Sequence, residues 1–511
     1  MNTAGENSET QASTAASFNA FNRGAGFGGV ALSAAIALVV MMPCNGFAEE
    51  PAAAMPVASA PTAADSTAPA IGDSTDVLSW ETGAGKSYLL PALEILGFDF
   101  LLNRFNQHRY EGHDYDVTMS TIRRNLRHSW VTDTDPFKVN QLGHPYQGSM
   151  YHGFARSAGL TYWESLGYTF AGSMMWEIAG ETTLPSKNDQ IASGIGGSFV
   201  GEALFRMANL ALENANGTPR FWREVSAAVI SPSTGFNRLA FGERYDSIFS
   251  SRGAPHYSRF ALGVSAAPQN SPGASTRSGR TEALADFSID YGLPGKPDYT
   301  YKRPFDYFAF QATASSENVF ENVMTRGLLL GRDYDAGKHY RGVWGLYGSY
   351  DYISPQFFRV SSTALSLGTT GQLWLSNAIA LQGTALLGAG YAAVGTVRGI
   401  GERDYHYGVA PQALLALRLI LGEKASLDVT GREYFVTRVS AADRAGHDNI
   451  VRADVSFTWR IQKQHAIAVK YLWNRRDATF PDLGDRTQTR GTIGIYYTLL
   501  GHQRFCAVDW R

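Results

Sequence analysis

From about residue 256 onward, hydrophobic and polar positions alternate with a period of two, the spacing of a strand with one apolar and one polar face. RADVSFTWRIQ, Arg452 to Gln462, is the clearest case. Ala453, Val455, Phe457, Trp459 and Ile461 fall on one face, and Arg452, Asp454, Ser456, Thr458, Arg460 and Gln462 on the other. QHAIAVKYLWN groups Ile467, Val469, Tyr471 and Trp473, and TIGIYYTLL groups Ile493, Ile495, Tyr497 and Leu499. Strands are expected to start near 256, 280, 303, 321, 338, 357, 378, 404, 424, 447, 464 and 487. That is about twelve strands of ~10 to 19 residues, long enough to cross a bilayer at the usual tilt.

Connection lengths separate a transmembrane barrel from a water-soluble sandwich. Ser376-Asn377, Gly422 to Lys424 and Gln462 to Gln464 read as tight turns, whereas 396 to 405, 438 to 448 and 475 to 488 read as long polar loops. Tight turns at one end and long loops at the other are what an outer-membrane barrel requires. An even strand count puts both barrel termini at the tight-turn end. Tyr340, Trp344, Tyr350, Tyr352, Tyr471 and Trp473 lie near segment ends, as interfacial girdles do. Thr492, Gly494, Tyr497 and Leu499 resemble the last-strand signal of bacterial outer-membrane barrels. The tail that follows, GHQRFCAVDWR, either lies outside the barrel or adds a strand.

Residues 82 to about 230 change to a helical period, carried by Leu90 to Phe105 and Leu160 to Glu181. Neither segment holds 18 uninterrupted apolar residues. They are expected to pack on one another, on the membrane surface or in the barrel mouth, not to span a bilayer. The fold class expected is α+β, a small helical domain over 82–230 followed by an antiparallel transmembrane β-barrel over 256–511.

In GHPYQGSMYHGFARSAG, residues 143 to 159, Pro145 suits a first helical turn. Gly148, Tyr151, Ala155 and Gly159 then share one face, a stripe that lets another backbone approach, and Ser149, His152 and Arg156 form a polar stripe beside it. Glu177 and Glu181, four apart on an apolar helix, need partners if buried, and Arg156 and Arg206 are the candidates. Asn188 or Asp189 is expected to cap a third helix. There Gly194, Gly197 and Gly201 repeat the small stripe and Glu202 faces Arg206.

The run from Asp135 to Arg206 resembles the bacterial family catalogued as domain of unknown function 3943, over about residues 104 to 213. The resemblance implies an uncharacterised exported protein, commonly with a barrel-like C-terminal part. It implies no activity and no catalytic residue.

Composition refines the picture at the N-terminus. Val30 to Met42 is a 13-residue apolar run between Arg23 and Ala48, read as a secretory signal over 1–48. The 22 residues before Arg23, with Glu6 and Glu9, depart from the usual form and point to a misplaced start codon. Residues 49–80 are an Ala/Pro/Ser/Thr-rich linker. The cysteines are Cys44 and Cys506, so the exported chain keeps one thiol and no internal disulfide. A net charge of -2 gives no reason to expect nucleic acid.

A catalytic reading would use His152 as base, Glu177 or Glu181 to orient it or bind a metal, Ser149 beside them, and Arg156 to hold a phosphate or carboxylate. Arg206, Tyr151 and Asp189 join Arg156 as ligand-binding candidates. His144 and His152 are weak metal candidates, because eight residues place them about 80° apart around a helix. No cofactor is expected. GAGKS, residues 83 to 87, lacks the first glycine of a phosphate loop, and ARSAG, 155 to 159, lacks the first glycine of a nucleophile elbow. A satisfied network fastening three glycine-striped helices is the preferred reading of the cluster.

The function expected is that of an outer-membrane barrel, exported by its signal, with the helical domain periplasmic as a plug or cap and a structural or transport-related binding role. Its partners would be outer-membrane lipids, the barrel-assembly machinery and a small-molecule or lipid ligand. The alternative is a lipid-acting hydrolase built on the His/Glu/Arg cluster.

Overall fold

The computed structural model describes residues 77–110, 112–133, 135–213, 218–267, 280–355, 358–395, 397, 401–437, 446–481, 484–501, 505 and 507–508. The proposed signal, most of the linker, Cys44 and Cys506 lie outside them.

The helices are α1 (Leu89–Arg109), α2 (Met119–Arg127), α3 (His144–Ser157), α4 (Tyr162–Ala179), α5 (Lys187–Ile191), α6 (Gly197–Glu213), α7 (Arg220–Ile230) and α8 (Pro232–Phe241). π-helical segments, Val139–Gly143 and Ala192–Gly196, lead into α3 and α6. Local signals account for several boundaries. Pro145 occupies the first turn of α3. Thr161 and Glu164 close a capping box on α4. The cap of α5 is Ser186, whose hydroxyl accepts from the Asp189 N–H; Asn188 and Asp189 lie inside the helix instead. Gly159 lies beyond the end of α3 with φ +93°, so it terminates the helix and does not extend the small-residue stripe.

The strands are β1 (His256–Ala267), β2 (Arg280–Tyr291), β3 (Phe308–Ser315), β4 (Asn322–Ala336), β5 (Tyr340–Ile353), β6 (Arg359–Ser376), β7 (Ile379–Gly395), β8 (Tyr405–Leu421), β9 (Ala425–Thr437), β10 (His447–Gln462), β11 (His465–Phe480) and β12 (Gly484–Leu500). Each pairs antiparallel with its neighbours and β1 pairs with β12, closing a barrel of 12 strands. The alternation therefore located the strands well, with two exceptions. β3 starts at Phe308, not near 303, because Asp306 accepts the Lys302 and Arg303 N–H groups and folds that segment into a loop. Residues 475–480 and 484–488 are strand, polar but for the buried Ala478 and Phe480 and the glycine at 484, so most of the expected loop belongs to β11 and β12.

Side-chain pairs between strands that are not neighbours identify the lumen. Arg432 on β9 reaches Asp351 on β5 at 2.8 Å, Arg418 on β8 reaches Asp290 on β2 at 3.1 Å, and Arg259 on β1 reaches Asp428 on β9 at 3.2 Å. Such contacts pass through the interior, so the residues alternating with these face outward. Polarity is inverted relative to a soluble protein: Trp459 is 51% exposed while its neighbour Thr458 is 1% exposed. Val455, Phe457, Ile461, Ile467, Val469, Ile493 and Ile495 continue this exposed apolar band. Both faces of the barrel thus follow from one period-two pattern.

The helical domain lies along the outer wall of the barrel. It neither plugs the lumen nor caps its mouth, which corrects the sequence expectation. Outward-facing Tyr350 and Tyr352 of β5, Phe308 and Phe310 of β3 and Ile289 of β2 are buried in one core with Phe199, Val200, Ala203 and Leu204 of α6. Tyr350 and Tyr352 are therefore covered by helices and are not girdle residues, whereas Trp344 and Tyr471 remain exposed. Phe199 approaches Gly348, where a Cβ would meet its ring at 2.4 Å. The contact runs the length of the barrel. At the long-loop end the Phe137 N–H donates to Glu402 O, and at the tight-turn end Arg206 meets Asp306 at 3.0 Å.

The helices' far side is apolar as well. On α1, Leu89, Leu93, Leu96 and Phe100 are exposed at i, i+4, i+7 and i+11, while Asp99 and Asn103 are buried. No helix among the described residues is long and apolar enough to cross a membrane.

The tail after β12 adds no strand. Phe505 is buried inside the tight-turn end of the barrel among Tyr257, Tyr307, Tyr347 and Trp374, and the Trp374 indole N–H donates to Val508 O at 2.8 Å. A second apolar layer, including Met324, Ile353, Val360, Val436 and Ile450, lines the lumen near the long-loop end.

Candidate functional site

Glycines bring α3 and α6 together. A Cβ on Gly148 would stand 2.1 Å from Ser193 O, one on Gly197 2.7 Å from the Gly148 Cα, and one on Gly201 2.8 Å from the His152 Cβ. This backbone approach places the polar stripe of α3 directly against Glu202 of α6. Arg156 Nε donates to Glu202 Oε2 at 2.7 Å, Arg206 Nε donates to Oε1 at 2.8 Å, and His152 Nε2 lies 3.2 Å from Oε2. Arg206 also donates to Asp306, and the Arg156 guanidinium lies over the Phe205 ring at 4.5 Å. The network is dry: His152 and Glu202 are 0% exposed. Burial alone would raise the Glu202 carboxyl, but Arg156, His152 and Arg206 hold it well below the usual carboxylate range. Burial lowers His152, which stays neutral and donates to Glu202.

The expected pairing of Arg156 and Arg206 with Glu177 and Glu181 is not formed, because both guanidiniums are spent on Glu202. Ser149 does not join His152; its hydroxyl donates to Tyr146 O at 2.6 Å. Tyr151 turns to the other side of α3 and donates to Asp99. The Ser149/His152/Arg156 stripe therefore offers no exposed nucleophile and no open base. Lys86 of the GAGKS run pairs with Glu164 at 2.7 Å, pinning the chain to the α4 capping box.

A second buried polar cluster forms one helical turn and more away. His144 begins α3, Glu177 closes α4 and Asp189 lies on α5, and one ligand-type atom from each lies within 4.8 Å of the other two. His144 Nε2 is 3.9 Å from Asp189 Oδ2 and its Nδ1 is 3.4 Å from Ser193 Oγ. Glu177 Oε2 accepts the Ser186 N–H at 2.8 Å, while Oε1, also buried, has no hydrogen-bond partner. Asn188 joins the cluster to the barrel, donating to Asp189 Oδ1 at 2.9 Å and to the Tyr407 hydroxyl at 2.7 Å. Asn140 bridges Asp133 and Tyr405 on the same wall.

Among the described residues no lysine or arginine bridges Glu177, Glu181 or Asp189. Burial, then the neighbouring carboxylates, push Glu177 and Asp189 well above the usual range. Burial likewise raises Glu181, to about 7, against the opposing pull of His144. Burial lowers His144. Of the sequence candidates, the structure thus unites His144, Glu177 and Asp189, and separately His152, Arg156 and Arg206. The spacing argument weighed His144 against His152, and although Glu177 or Glu181 was offered as a metal ligand and Asp189 as a ligand-binding residue, neither was joined to His144, because they come from two other helices. Glu202 as hub, Asp306 and Tyr407 were also missed. Docking the glycine stripes of α3 and α6 face to face would have placed Glu202 opposite His152 and Arg156.

The lumen supplies a third polar region. Two cavities of about 120 and 80 Å³ remain inside the barrel, sharing Arg259, Arg452 and Lys470 in their walls. Arg418, Asp428, Arg432 and Asp351 cross-brace the first of them.

Residues 129–233 match the family model described as Domain of unknown function (DUF3943), a span that includes α3 to α7 and both polar clusters. No curated protein matches the chain. Solved structures similar to the barrel include the KdgM porin, 7% identical with a TM-score of 0.21, covering 46% of this chain and 98% of that one. The outer membrane channel DcaP of Acinetobacter baumannii is 9% identical with a TM-score of 0.22, covering 50% and 99%. The translocator domain of autotransporter NalP from Neisseria meningitidis is 15% identical with a TM-score of 0.20, covering 52% and 95%. The closed fold described above rests on the strand pairing itself.

Proposed function

We propose that this chain is an outer-membrane barrel with a transport-related role, binding a small polar solute in a lumen that its own C-terminal tail closes. One observation carries the reading: the apolar residues of the strands face outward, where only lipid would favour them, and cross-braced charges line a narrow interior. The helical domain shares the lipid level with the barrel wall, since the outer face of α1 repeats the same apolar exposure. In water so large an apolar surface is a liability; against acyl chains it carries no cost. Charge in the lumen is of both signs, which suits a solute bearing a donor and an acceptor more than a bare anion or cation.

Phe505 and Val508 act as the stopper. The Gln372 amide donates to Val508 O and its carbonyl accepts the Val508 N–H, so the tail is hydrogen-bonded in place. The hydrolase alternative loses its support, because the His152 stripe is sealed and Ser149 faces away from it.

The folded protein is expected in the outer-membrane fraction, with gel migration that changes on heating. A soluble protein whose migration ignores heat overturns the reading. In planar bilayers the full chain is expected to conduct weakly, and removal of residues 502–511 to raise single-channel conductance at least severalfold. An unchanged conductance would remove the stopper from the proposal.

A further inference from the structure

We propose that His144, Glu177 and Asp189 bind one first-row divalent metal ion between the helical domain and the barrel wall. The inference is independent of the lumen and of what passes through it.

Three observations converge on that place. The donor set is one imidazole and two carboxylates, a mix suited to Zn²⁺, Mn²⁺ or Fe²⁺, and not the all-oxygen shell of Ca²⁺. The donor atoms already lie within 4.8 Å of one another. Bonds of about 2.1 Å to a tetrahedral ion would bring them to about 3.4 Å apart, a change within reach of side-chain rotation. Finally, Glu177, one of the three donors, is 0% exposed and its buried Oε1 has no hydrogen-bond partner. A buried carboxylate oxygen left so is costly, and a cation is the partner its surroundings otherwise lack.

The setting around the donors resembles a ligand-orienting shell. Asn188 holds Asp189, the Ser186 N–H holds the other oxygen of Glu177, and the Ser193 hydroxyl lies against the far nitrogen of His144. Such groups fix the rotamer and tautomer of a metal ligand. The two π-helical segments adjoin the site, one ending at Gly143, next to His144, and the other beginning three residues after Asp189. Directly after the first of them, His144 faces Asp189 of α5 at 3.9 Å. Because Asn188 also reaches Tyr407 of β8, a bound ion would tie three helices to the barrel at its long-loop end.

The test uses the full chain purified in detergent and freed of metal by a chelator. Zn²⁺ titrated against a chromophoric competitor is expected to bind at one equivalent per chain. Glu177→Gln and Asp189→Asn should each weaken it by roughly 100-fold or more, while Glu243→Gln, an exposed carboxylate elsewhere, leaves it unchanged. Heat-modifiable migration reports whether each variant has folded. Stoichiometric binding absent from the parent protein, or retained in both folded variants, overturns the proposal. Should the variants fail to fold, Cu²⁺ in the parent protein decides by electron paramagnetic resonance: hyperfine structure from one imidazole nitrogen is expected, and none, or two or more, overturns it.

Discussion

Two glutamates in the helical domain, Glu202 on α6 and Glu177 on α4, are both 0% exposed, yet their chemistry is opposite. Glu202 accepts from two arginines and a histidine and stays ionised; Glu177 has a single backbone donor and is pushed toward its neutral form. Burial is the same term in both. What differs is who stands opposite. Glycine stripes press α3 onto α6 and deliver Arg156 and His152 to Glu202, while Glu177 has Asp189, Glu181, Asp133 and His144 about it and, among the described residues, no lysine or arginine paired with it. A buried ion pair is a fastening device, whereas a buried carboxylate without a cation is a place where a proton or an ion must come.

The largest expected effect follows from breaking the satisfied side. Glu202→Ala leaves Arg156 and Arg206 buried with no carboxylate between them, and should cost about 3–5 kcal/mol. Thermal unfolding followed by circular dichroism in detergent should show the helical signal lost well before the barrel signal. A shift no larger than that of a surface variant would mean the network is not what fastens α3 to α6.

Gly148→Ala acts on both regions, because Gly148 lies between His144 and His152 on α3. The added Cβ would meet Ser193 O at 2.1 Å, backbone that a rotamer change cannot relieve. A loss of about 1–3 kcal/mol is expected. Gly167→Ala, on the exposed side of α4 where a Cβ meets nothing within 4 Å, should instead be neutral or slightly stabilising. Similar melting temperatures for the two variants would contradict the close-packed stripe.

How far this contrast was legible in the sequence depends on which surface a residue faces. Period-two alternation names the outward and inward residues of RADVSFTWRIQ correctly, because an apolar outer face and a charged interior make a strand's two faces chemically distinct. The glycines of α3 and α6 were also legible, since no other residue permits that approach. The position of the helices was not. On α1 the exposed Leu89, Leu93, Leu96 and Phe100 oppose a buried Asp99 and Asn103, so the rule that apolar residues point to the core gives the wrong face for this helix. Spacing along one helix likewise says nothing about partners on another, which is why Glu177 was matched with arginines that belong to Glu202. The tail holding Phe505 was read as a strand or as a segment outside the barrel, and filling the barrel end was neither, because a short aromatic tail carries no periodicity that says what it packs against.

Asp99 extends the comparison to pH. Burial raises its carboxyl from 3.8 to about 7, opposed by hydrogen bonds from Tyr151 and Gln147, and its Oδ2 has no partner. The folded form thus holds a proton that the unfolded chain releases near pH 4. Its stability contribution is complete below that value and is lost as pH rises toward 7. Between pH 5 and 8 the stability of the helical domain should fall, by roughly 2–3 kcal/mol for this group. Asp99→Asn should flatten that slope. A midpoint that rises over the same interval would show Asp99 to be ionised in the fold.

The smallest effect is the most discriminating. In metal-free protein Glu177 is expected to be protonated, so Glu177→Gln exchanges one neutral hydrogen-bonding group for another of the same shape. The amide carbonyl can still accept the Ser186 N–H. Unfolding should move by less than about 1 kcal/mol, because no charge is removed and no cation is stranded. The same conservative change at Glu202 takes away the charge that holds two guanidiniums and should cost several times more. Equal losses at the two positions would mean that Glu177 is ionised against a cation in the folded protein, and the distinction between a closed ion-pair network and an acidic cluster awaiting its counter-ion would fall.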